Sequence, residues 1–207
     1  MIENDSKRIF AHRGFWKNKS EQNTQKAIEA CVENQFSLET DLRLHNGSLV
    51  LAHSPEDLEK SPVPLSEILF TSMVALNIKQ DGLLTNLFEF RDLIVSSNSF
   101  VFDGSIPEML MYRKAGIPHA LRLSEYEMEL PWSCDTVWVD GFEGDWWLEE
   151  CPRREMFVNK KVVLVSPEIH GRDPEATWKF VRENWHNKSF EISICTDLPE
   201  KFKESLK

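Results

Sequence analysis

The sequence predicts a single (β/α)8 TIM barrel over residues 1–207, an α/β fold with a β-hairpin on the second strand. Short apolar runs rich in β-branched or aromatic residues recur along the chain, and each ends in polar residues before a helix-like stretch. Alternating strands and helices are typical of a parallel sheet. Eight strand positions predict closure into a barrel, although the pattern alone leaves an open, doubly wound sheet as an alternative.

Nine segments have the composition of strands, and the second and third are joined by the short turn His45–Ser48. The Asn46-Gly47 pair in this turn readily takes positive φ angles, so these two segments count as one strand with an attached hairpin arm. The predicted strands are Ile9–His12, Phe36–Leu42, Leu49–His53, Val74–Lys79, Phe100–Asp103, Ala120–Leu123, Thr136–Asp140, Val162–Ser166 and Ile192–Thr196.

Helical periodicity is clearest in Thr24–Asn34. Asp173-Pro174 before Glu175–Asn184 predicts an N-cap followed by proline at the first helical position. The sequence contains neither GxGxxG nor a Walker A lysine loop, which removes the two commonest nucleotide sites of the open-sheet alternative. In the helix predicted over Thr24–Asn34, the apolar face is formed by Ala27, Ile28, Cys31 and Val32.

Composition narrows the classes of partner. With 41% hydrophobic and 28% charged residues, the chain is expected to form an ordinary globular core. A formal net charge of −10 argues against nucleic acid and against an anionic membrane surface as general partners. We find no signal-peptide pattern, no apolar stretch long enough for a membrane span, and no CxxC pair among the four cysteines. These features predict a protein of the reducing cytoplasm.

Polar residues cluster where the predicted strands end. His12-Arg13 ends the first strand, Glu39 and Asp41 lie in the second, and His53 ends the hairpin arm. In a barrel, the carboxyl ends of all strands converge on one mouth, where the chemistry takes place. Later strands contribute Asn77, Lys79, Asp103, Arg122, Asp140, Ser166–Glu168 and Asp197.

Glu39 and Asp41 are two residues apart, so on a strand their side chains point to the same side. Two carboxylates inside an apolar run repel each other and lose their hydration. Both effects are costly unless a cation lies between the two groups. Oxygen ligands of this kind suit Mg²⁺ or Ca²⁺. Alone, a Glu-x-Asp pair is more often a solvated strand face, and a strand-end histidine such as His53 is more often structural. A functional site is favoured because all these side chains are predicted to reach the same mouth of the barrel.

The motifs resemble those of the glycerophosphodiester phosphodiesterases over effectively the whole chain. The family pattern is HRG, then P-E-N-T, E-x-D, a D-G turn and H-D, and near the end I-x-T-D-x-P-E. The corresponding segments here are Ala11–Gly14, Glu21–Thr24, Leu38–Leu44, Asn46-Gly47, Leu51–His53 and Ile194–Glu200.

This resemblance implies a TIM-barrel enzyme that hydrolyses a small phosphodiester with a divalent cation, Mg²⁺ or Ca²⁺, in lipid metabolism. Carried over by position, His12 and His53 would be the general acid/base pair. Arg13 and Lys79 would contact the phosphate. Water as the nucleophile would give a phosphomonoester, whereas a neighbouring substrate hydroxyl would give a cyclic phosphate. The implied metal ligands are Glu39, Asp41 and the residue at position 77.

The chain departs from the family pattern at Asn77, where the family has a third carboxylate. An amide oxygen can still bind Mg²⁺ or Ca²⁺, but with a lost negative charge we expect lower affinity. Asp103 or Glu168 would be a replacement ligand. Trp138 is either core or an apolar wall that contacts the alcohol part of the substrate.

Two other classes of function are consistent with the residues. A catalytically weak or inactive barrel would bind a phosphorylated ligand without turning it over, and Asn77 favours this alternative. A sugar- or aldol-type enzyme would share only the fold. It ranks last, because no lysine lies at a clearly apolar strand centre, as a Schiff-base mechanism would require.

Overall fold

The computed structural model describes residues 5–149 and 156–207. These form two compact units, one ending at His119 and the other beginning at Ala120. The strands of the first unit are β1 (Ile9–His12), β2 (Ser37–His45), β3 (Ser48–Leu51), β4 (Val74–Ile78) and β5 (Phe100–Phe102). Its helices are α1 (Gln25–Asn34), α2 (Leu84–Phe88), α3 (Arg91–Ser96) and α4 (Ile106–Lys114).

Four strands of the first unit lie side by side and parallel in the order β5-β4-β2-β1. Phe10 pairs with Ser37, Leu38 with Val74, and Ala75 with Phe100. The strands are short and almost entirely buried, on both faces, which explains why their apolar runs are nearly continuous rather than alternating.

The predicted hairpin is confirmed. β3 pairs antiparallel with β2, and His45 pairs with Ser48 around the two-residue loop. Asn46 has φ 49° and Gly47 has φ 80°, the left-handed angles that such tight turns require. Asn86 strengthens the turn from outside, because its amide donates a hydrogen bond to the Gly47 carbonyl at 3.0 Å.

Helix α1 begins and ends at residues with clear capping geometry. The Thr24 hydroxyl accepts a hydrogen bond from the Ala27 amide at 3.4 Å, and Gln35 ends the helix in the left-handed conformation with φ 61°. The predicted apolar face is present, with Val32 half-buried. Its fully buried members are Ala27, Ile28 and Cys31.

The second unit contains four parallel strands in the order β9-β8-β7-β6. Its strands are β6 (Ala120–Leu123), β7 (Thr136–Val139), β8 (Lys161–Val165) and β9 (Glu191–Thr196). Its helices are α5 (Trp146–Glu149), α6 (Glu175–Asn184) and α7 (Pro199–Ser205).

The start of α6 differs by one residue from the prediction. Pro174 is the N-cap rather than the first helical residue, and its carbonyl accepts the first helical hydrogen bond, from the Trp178 amide, at 2.8 Å. Asp173 supports this start from one residue earlier, because its carboxylate accepts from the Glu175 amide at 3.0 Å. The proline therefore precedes the helix that it was expected to begin.

Several strands end one residue earlier than predicted, so that their polar residues begin the loops that follow. Lys79 follows β4, Asp103 follows β5, and Asp140 follows β7. Side chains at the start of a loop are freer to turn toward a ligand than those within a sheet. Within the described ranges, no helix is long and apolar enough to cross a membrane.

Candidate active site

Most of the predicted site residues of the first unit come together where β1 and β4 end, beside the middle of β2. His12 pairs in register with Glu39, and Asp41 pairs with Asn77 on the next strand. Lys79 follows directly after β4. Neighbouring parallel strands in this register place the four strand side chains within one patch, which accounts for the convergence that the sequence predicts.

Asp41 lies at the centre of a charge cluster. Its Oδ2 lies 2.9 Å from the Nε of Arg13, its Oδ1 lies 3.3 Å from the Nζ of Lys79, and the Asn23 amide donates to Oδ2 at 2.9 Å. Burial alone would raise the pKa of Asp41, but Lys79, Arg13 and the hydrogen bond from Asn23 outweigh it and hold the pKa below its usual range. Asp41 is therefore ionised at neutral pH.

Glu39 has a different environment although it is equally buried. Its Oε2 accepts a hydrogen bond from the Arg13 amide at 3.0 Å and lies 3.9 Å from the Nε2 of His12, while Asn77 donates to Oε1 at 3.4 Å. Burial raises the pKa of Glu39; His12 opposes the rise, and the charge of Asp41 adds to it. Two neighbouring carboxyl groups with pKa values moved in opposite directions are typical of functional sites.

The Arg13-Gly14 turn positions the guanidinium group. Arg13 has φ 56° and Gly14 has φ 93°, so the chain reverses directly after β1. The turn brings the Arg13 amide to Glu39 and its side chain to Asp41, and one of its terminal nitrogens donates to Gln22 at 3.3 Å. Gly14 is required here by contact as well as by conformation, because a Cβ would lie 2.7 Å from the Cβ of Ala27.

Replacing Gly14 with alanine is expected to lower the free energy of unfolding by about 2 to 4 kcal/mol, from a disfavoured φ angle plus a clash with α1. Gly47→Ala is the matched control, since Gly47 also has positive φ but would place its Cβ in open space. The control is expected to cost about 1 kcal/mol. Urea denaturation of both variants gives the difference, and equal losses would show that the contact with Ala27 contributes nothing.

Asn23 is a site residue to which the sequence assigned no role. It has φ 57°, and its amide nitrogen donates to Asp41 while its amide oxygen accepts from the Thr40 hydroxyl at 2.8 Å. Its own backbone amide donates to the Arg13 carbonyl at 2.9 Å. Asn23 therefore holds both members of the Arg13–Asp41 ion pair. The signal in the sequence was its place in the E-Q-N-T segment, directly before the N-cap of α1.

His12 is held at the end of β1 with its side chain only 14% exposed. The Trp16 indole donates to the His12 carbonyl at 2.9 Å, which fixes the backbone at this strand end. The ring faces Glu39, at the 3.9 Å separation given above. A histidine beside a buried carboxylate can hold or release a proton near neutral pH.

His53 follows the hairpin arm and is exposed. Its carbonyl accepts two hydrogen bonds from the Arg43 guanidinium, at 3.2 and 3.0 Å, so its backbone is anchored to β2. Partial burial of the ring lowers the pKa of His53 below 6.5, Arg13 and Lys79 lower it further, and Asp41 opposes them. The imidazole is therefore mainly neutral at pH 7 and able to accept a proton.

Comparison with known proteins bears on the fold. No protein-family model matches the sequence, and no curated protein matches it significantly. Among solved structures, a glycerophosphodiester phosphodiesterase from Agrobacterium tumefaciens superposes with a TM-score of 0.60 at 15% identity, covering 94% of this chain and 98% of that one. A glycerophosphoryl diester phosphodiesterase from Parabacteroides distasonis gives 0.62 at 13%, covering 99% and 91%. The chain has a (β/α)8 barrel fold. These two likenesses show the fold.

The barrel positions oxygen atoms that fit a hard divalent cation. Asn77 Oδ1 is buried and accepts no hydrogen bond from any residue that the structure describes, whereas Asp41 Oδ1, also buried, lies 3.3 Å from the Lys79 ammonium. They belong to residues paired in register on β2 and β4, and Glu39 lies beside them. A buried oxygen without a partner, such as Asn77 Oδ1, is costly, and a cation between it and the two carboxylates would remove that cost. Over residues 5–149 and 156–207, however, no three His, Cys, Asp or Glu side chains converge as a metal cluster. The candidate donors are thus two carboxylates, of which Asp41 is already paired with Arg13 and Lys79, and an amide.

Three further predicted residues lie elsewhere in the barrel. Asp103 follows β5, half-buried with φ 68°, next to the residue that pairs with Asn77. The carboxylate of Glu168, in the second unit, accepts hydrogen bonds from Ser166 and Thr196 and from the Asp197 amide. Trp138 is almost fully buried on β7. Their roles as ligand or substrate wall stay predictions.

Proposed function

We propose that this protein is a metal-dependent phosphodiesterase that hydrolyses a small glycerophosphodiester-like substrate. The observation that carries the proposal is the cluster around Asp41, where a buried carboxylate holds Arg13 and Lys79 beside Glu39 and His12. The motif resemblance and the fold shared with two solved phosphodiesterases support the same activity. We expect it to act in the cytoplasm on a soluble diester.

Arg13 and Lys79 would bind the phosphate. Both cations now face Asp41 and their side chains are about one-fifth exposed, so each can reach a ligand without leaving the cluster. A guanidinium and an ammonium offset the charge that develops on the phosphorus oxygens during in-line displacement. A divalent cation held by Glu39, Asp41 and Asn77, with Asp103 as a further candidate ligand, would add to that stabilisation.

His53 and His12 would transfer the protons. His53 is neutral at pH 7 and would take a proton from the attacking oxygen, and His12, facing Glu39, would give one to the departing alkoxide. If water attacks, the product is a phosphomonoester; if a neighbouring substrate hydroxyl attacks, it is a cyclic phosphate. Phosphorus NMR of the product distinguishes the two.

The test is product release from a panel of glycerophosphodiesters and bis-p-nitrophenyl phosphate, with Mg²⁺, Ca²⁺, Mn²⁺ or EDTA. We expect turnover that requires a cation. The His12→Ala variant lacks the proposed general acid, and its kcat is expected to be lower by about 10² to 10⁴-fold. His186→Ala is the control, because His186 lies after α6, outside the described cluster. Turnover unaffected by EDTA, or an active His12→Ala variant, would contradict the proposal.

A pH profile tests the role of His53 separately. Because the pKa of His53 is lowered, its basic form is lost only as pH falls below 6.5, so kcat/KM is expected to decline on that acid side and to stay level toward neutral pH. The His53→Gln variant is expected to lose most activity together with this acid limb. An acid limb that persists unchanged in the variant would assign it to another group.

One observation favours a second candidate function. Asn77 stands where the family has a carboxylate, which leaves the site with two acidic ligands. A barrel of this kind would bind a phosphorylated ligand and a cation without turning the ligand over. Calorimetric binding of glycerol phosphate in the presence of Mg²⁺, combined with no turnover on any diester, would support this alternative.

A further inference from the structure

A cavity of about 570 Å³ opens beside Arg13 and His53 in the first unit. It extends from these residues across the turn at Lys19 to the loop around Lys60 and Val63. Cavities of this size accommodate small ligands. Since Arg13 and His53 belong to the proposed phosphate site, an alcohol group attached to a bound phosphate would enter this cavity.

The lining of the cavity is basic, in contrast to the −10 charge of the chain. Its ionisable residues include three cations, Arg13, Lys19 and Lys60, but one carboxylate, Asp57. Arg13 is paired with Asp41 and Lys60 with Asp57 at 2.8 Å. The Lys19 ammonium has no ion-pair partner among the residues that the structure describes. The cavity therefore contains an uncompensated positive charge.

The two lysines project from turns with fixed backbones. Lys19 begins the 3-10 helix Lys19–Glu21, where the Glu21 carboxylate accepts from the amide of Lys17 at 3.0 Å. Lys60 ends the 3-10 helix Pro55–Lys60, where Asp57 accepts from the Ser54 amide at 2.9 Å. Only the side chains would need to be ordered by a ligand, which limits the entropic cost of binding.

We propose that this cavity selects diesters in which one alcohol carries a second negative charge, a carboxylate or a phosphomonoester, bound by Lys19 and Lys60. The inference rests on the proposed phosphodiesterase function and names its substrate class. A neutral alcohol would leave Lys19 unpaired, and a quaternary ammonium group would meet like charges. An anionic group on the alcohol would instead be attracted by the excess positive charge of the cavity lining.

The test uses four p-nitrophenyl phosphodiesters that differ only in the second alcohol, which is propyl, carboxyethyl, phosphoethyl or trimethylammonioethyl. We expect the anionic esters to have the highest kcat/KM and the cationic ester the lowest. Lys19→Gln is expected to lower the anionic-to-neutral ratio by about threefold, and the Lys19→Gln/Lys60→Gln double variant by about tenfold, since exposed ion pairs are individually weak. The preference should shrink as salt rises.

Lys114→Gln is the control, because Lys114 ends α4 and does not line the cavity. An equal or reversed anionic-to-neutral ratio in the wild type, or a ratio unchanged in the double variant, would overturn the subsite. Absence of turnover on every ester would overturn the proposed function instead. In that case calorimetry with propyl phosphate and carboxyethyl phosphate decides the subsite, which requires tighter binding of the carboxylate compound that is lost in the double variant.

Discussion

Replacing Asp41 with alanine is expected to lower the free energy of unfolding by about 3 kcal/mol. The carboxylate is buried and holds Arg13 at 2.9 Å and Lys79 at 3.3 Å. Without it, two cations with about one-fifth of their side-chain surface exposed would lose the carboxylate that both contact, and Glu39 alone of the acidic pair would remain to offset their charge. Their partial exposure places the cost at the lower end of the range for broken buried pairs. Catalytic activity is expected to disappear with the same change.

Urea denaturation followed by tryptophan fluorescence measures this loss. Glu183→Ala is the matched control, because the Lys179–Glu183 pair is 4.0 Å apart with both side chains more than half exposed, and its loss should cost less than about 1 kcal/mol. The Asp41 effect should persist in high salt, since a buried pair is poorly screened. Equal losses in the two variants would show that the cluster around Asp41 contributes no more than a surface pair.

The proximity of His12, Glu39 and Asp41 was predictable because strand register follows simple geometry. Once β1 and β2 are parallel neighbours, a residue at the end of one lies beside the corresponding residue of the other, as His12 does with Glu39. The Asn46-Gly47 turn was equally predictable from the sequence, since few other residue pairs accept two successive positive φ angles. These features depend on local chemistry and on a periodicity of two.

The ion pairs were not predictable in the same way. The sequence predicted that Arg13 and Lys79 contact a phosphate, but it could not show that both pair with Asp41. Long side chains have many rotamers, and their choice depends on the three-dimensional arrangement of charges. Asn23 was missed for a related reason, because its role depends on a left-handed backbone and on a contact with a strand 18 residues away.

The balance of charges around Asp41 also accounts for an amide, rather than a carboxylate, at position 77. Two carboxylates, Glu39 and Asp41, are balanced by two cations, Arg13 and Lys79, so the cluster carries no large excess charge by itself. A third carboxylate would upset this balance unless a divalent cation were bound. We therefore expect the amide at position 77 to favour the stability of the site over its affinity for a cation, and both quantities can be measured.

Replacing Asn77 with glutamate is expected to lower the unfolding free energy by about 3 kcal/mol in EDTA, because it adds a buried negative charge beside Glu39. Asn77 is 9% exposed and its amide lies 3.4 Å from the Glu39 carboxylate, so the new charge cannot escape to solvent. With Mg²⁺ or Ca²⁺ present, the same carboxylate becomes a third acidic ligand. The cation is expected to bind at least about tenfold more tightly than in the wild type and to restore most of the lost stability.

Thermal unfolding across a series of MgCl₂ and CaCl₂ concentrations provides a readout that does not depend on turnover. Asn77→Gln is the matched control, since glutamine has the shape of glutamate without its charge. Only the glutamate variant should gain stability steeply with cation concentration, and its turnover at limiting metal should exceed that of the wild type if position 77 is a weakened ligand. A glutamate variant whose stability responds to cations no more than that of Asn77→Gln would remove position 77 from the ligand set. It would also leave Arg13 and Lys79 as the charges available to a bound phosphate.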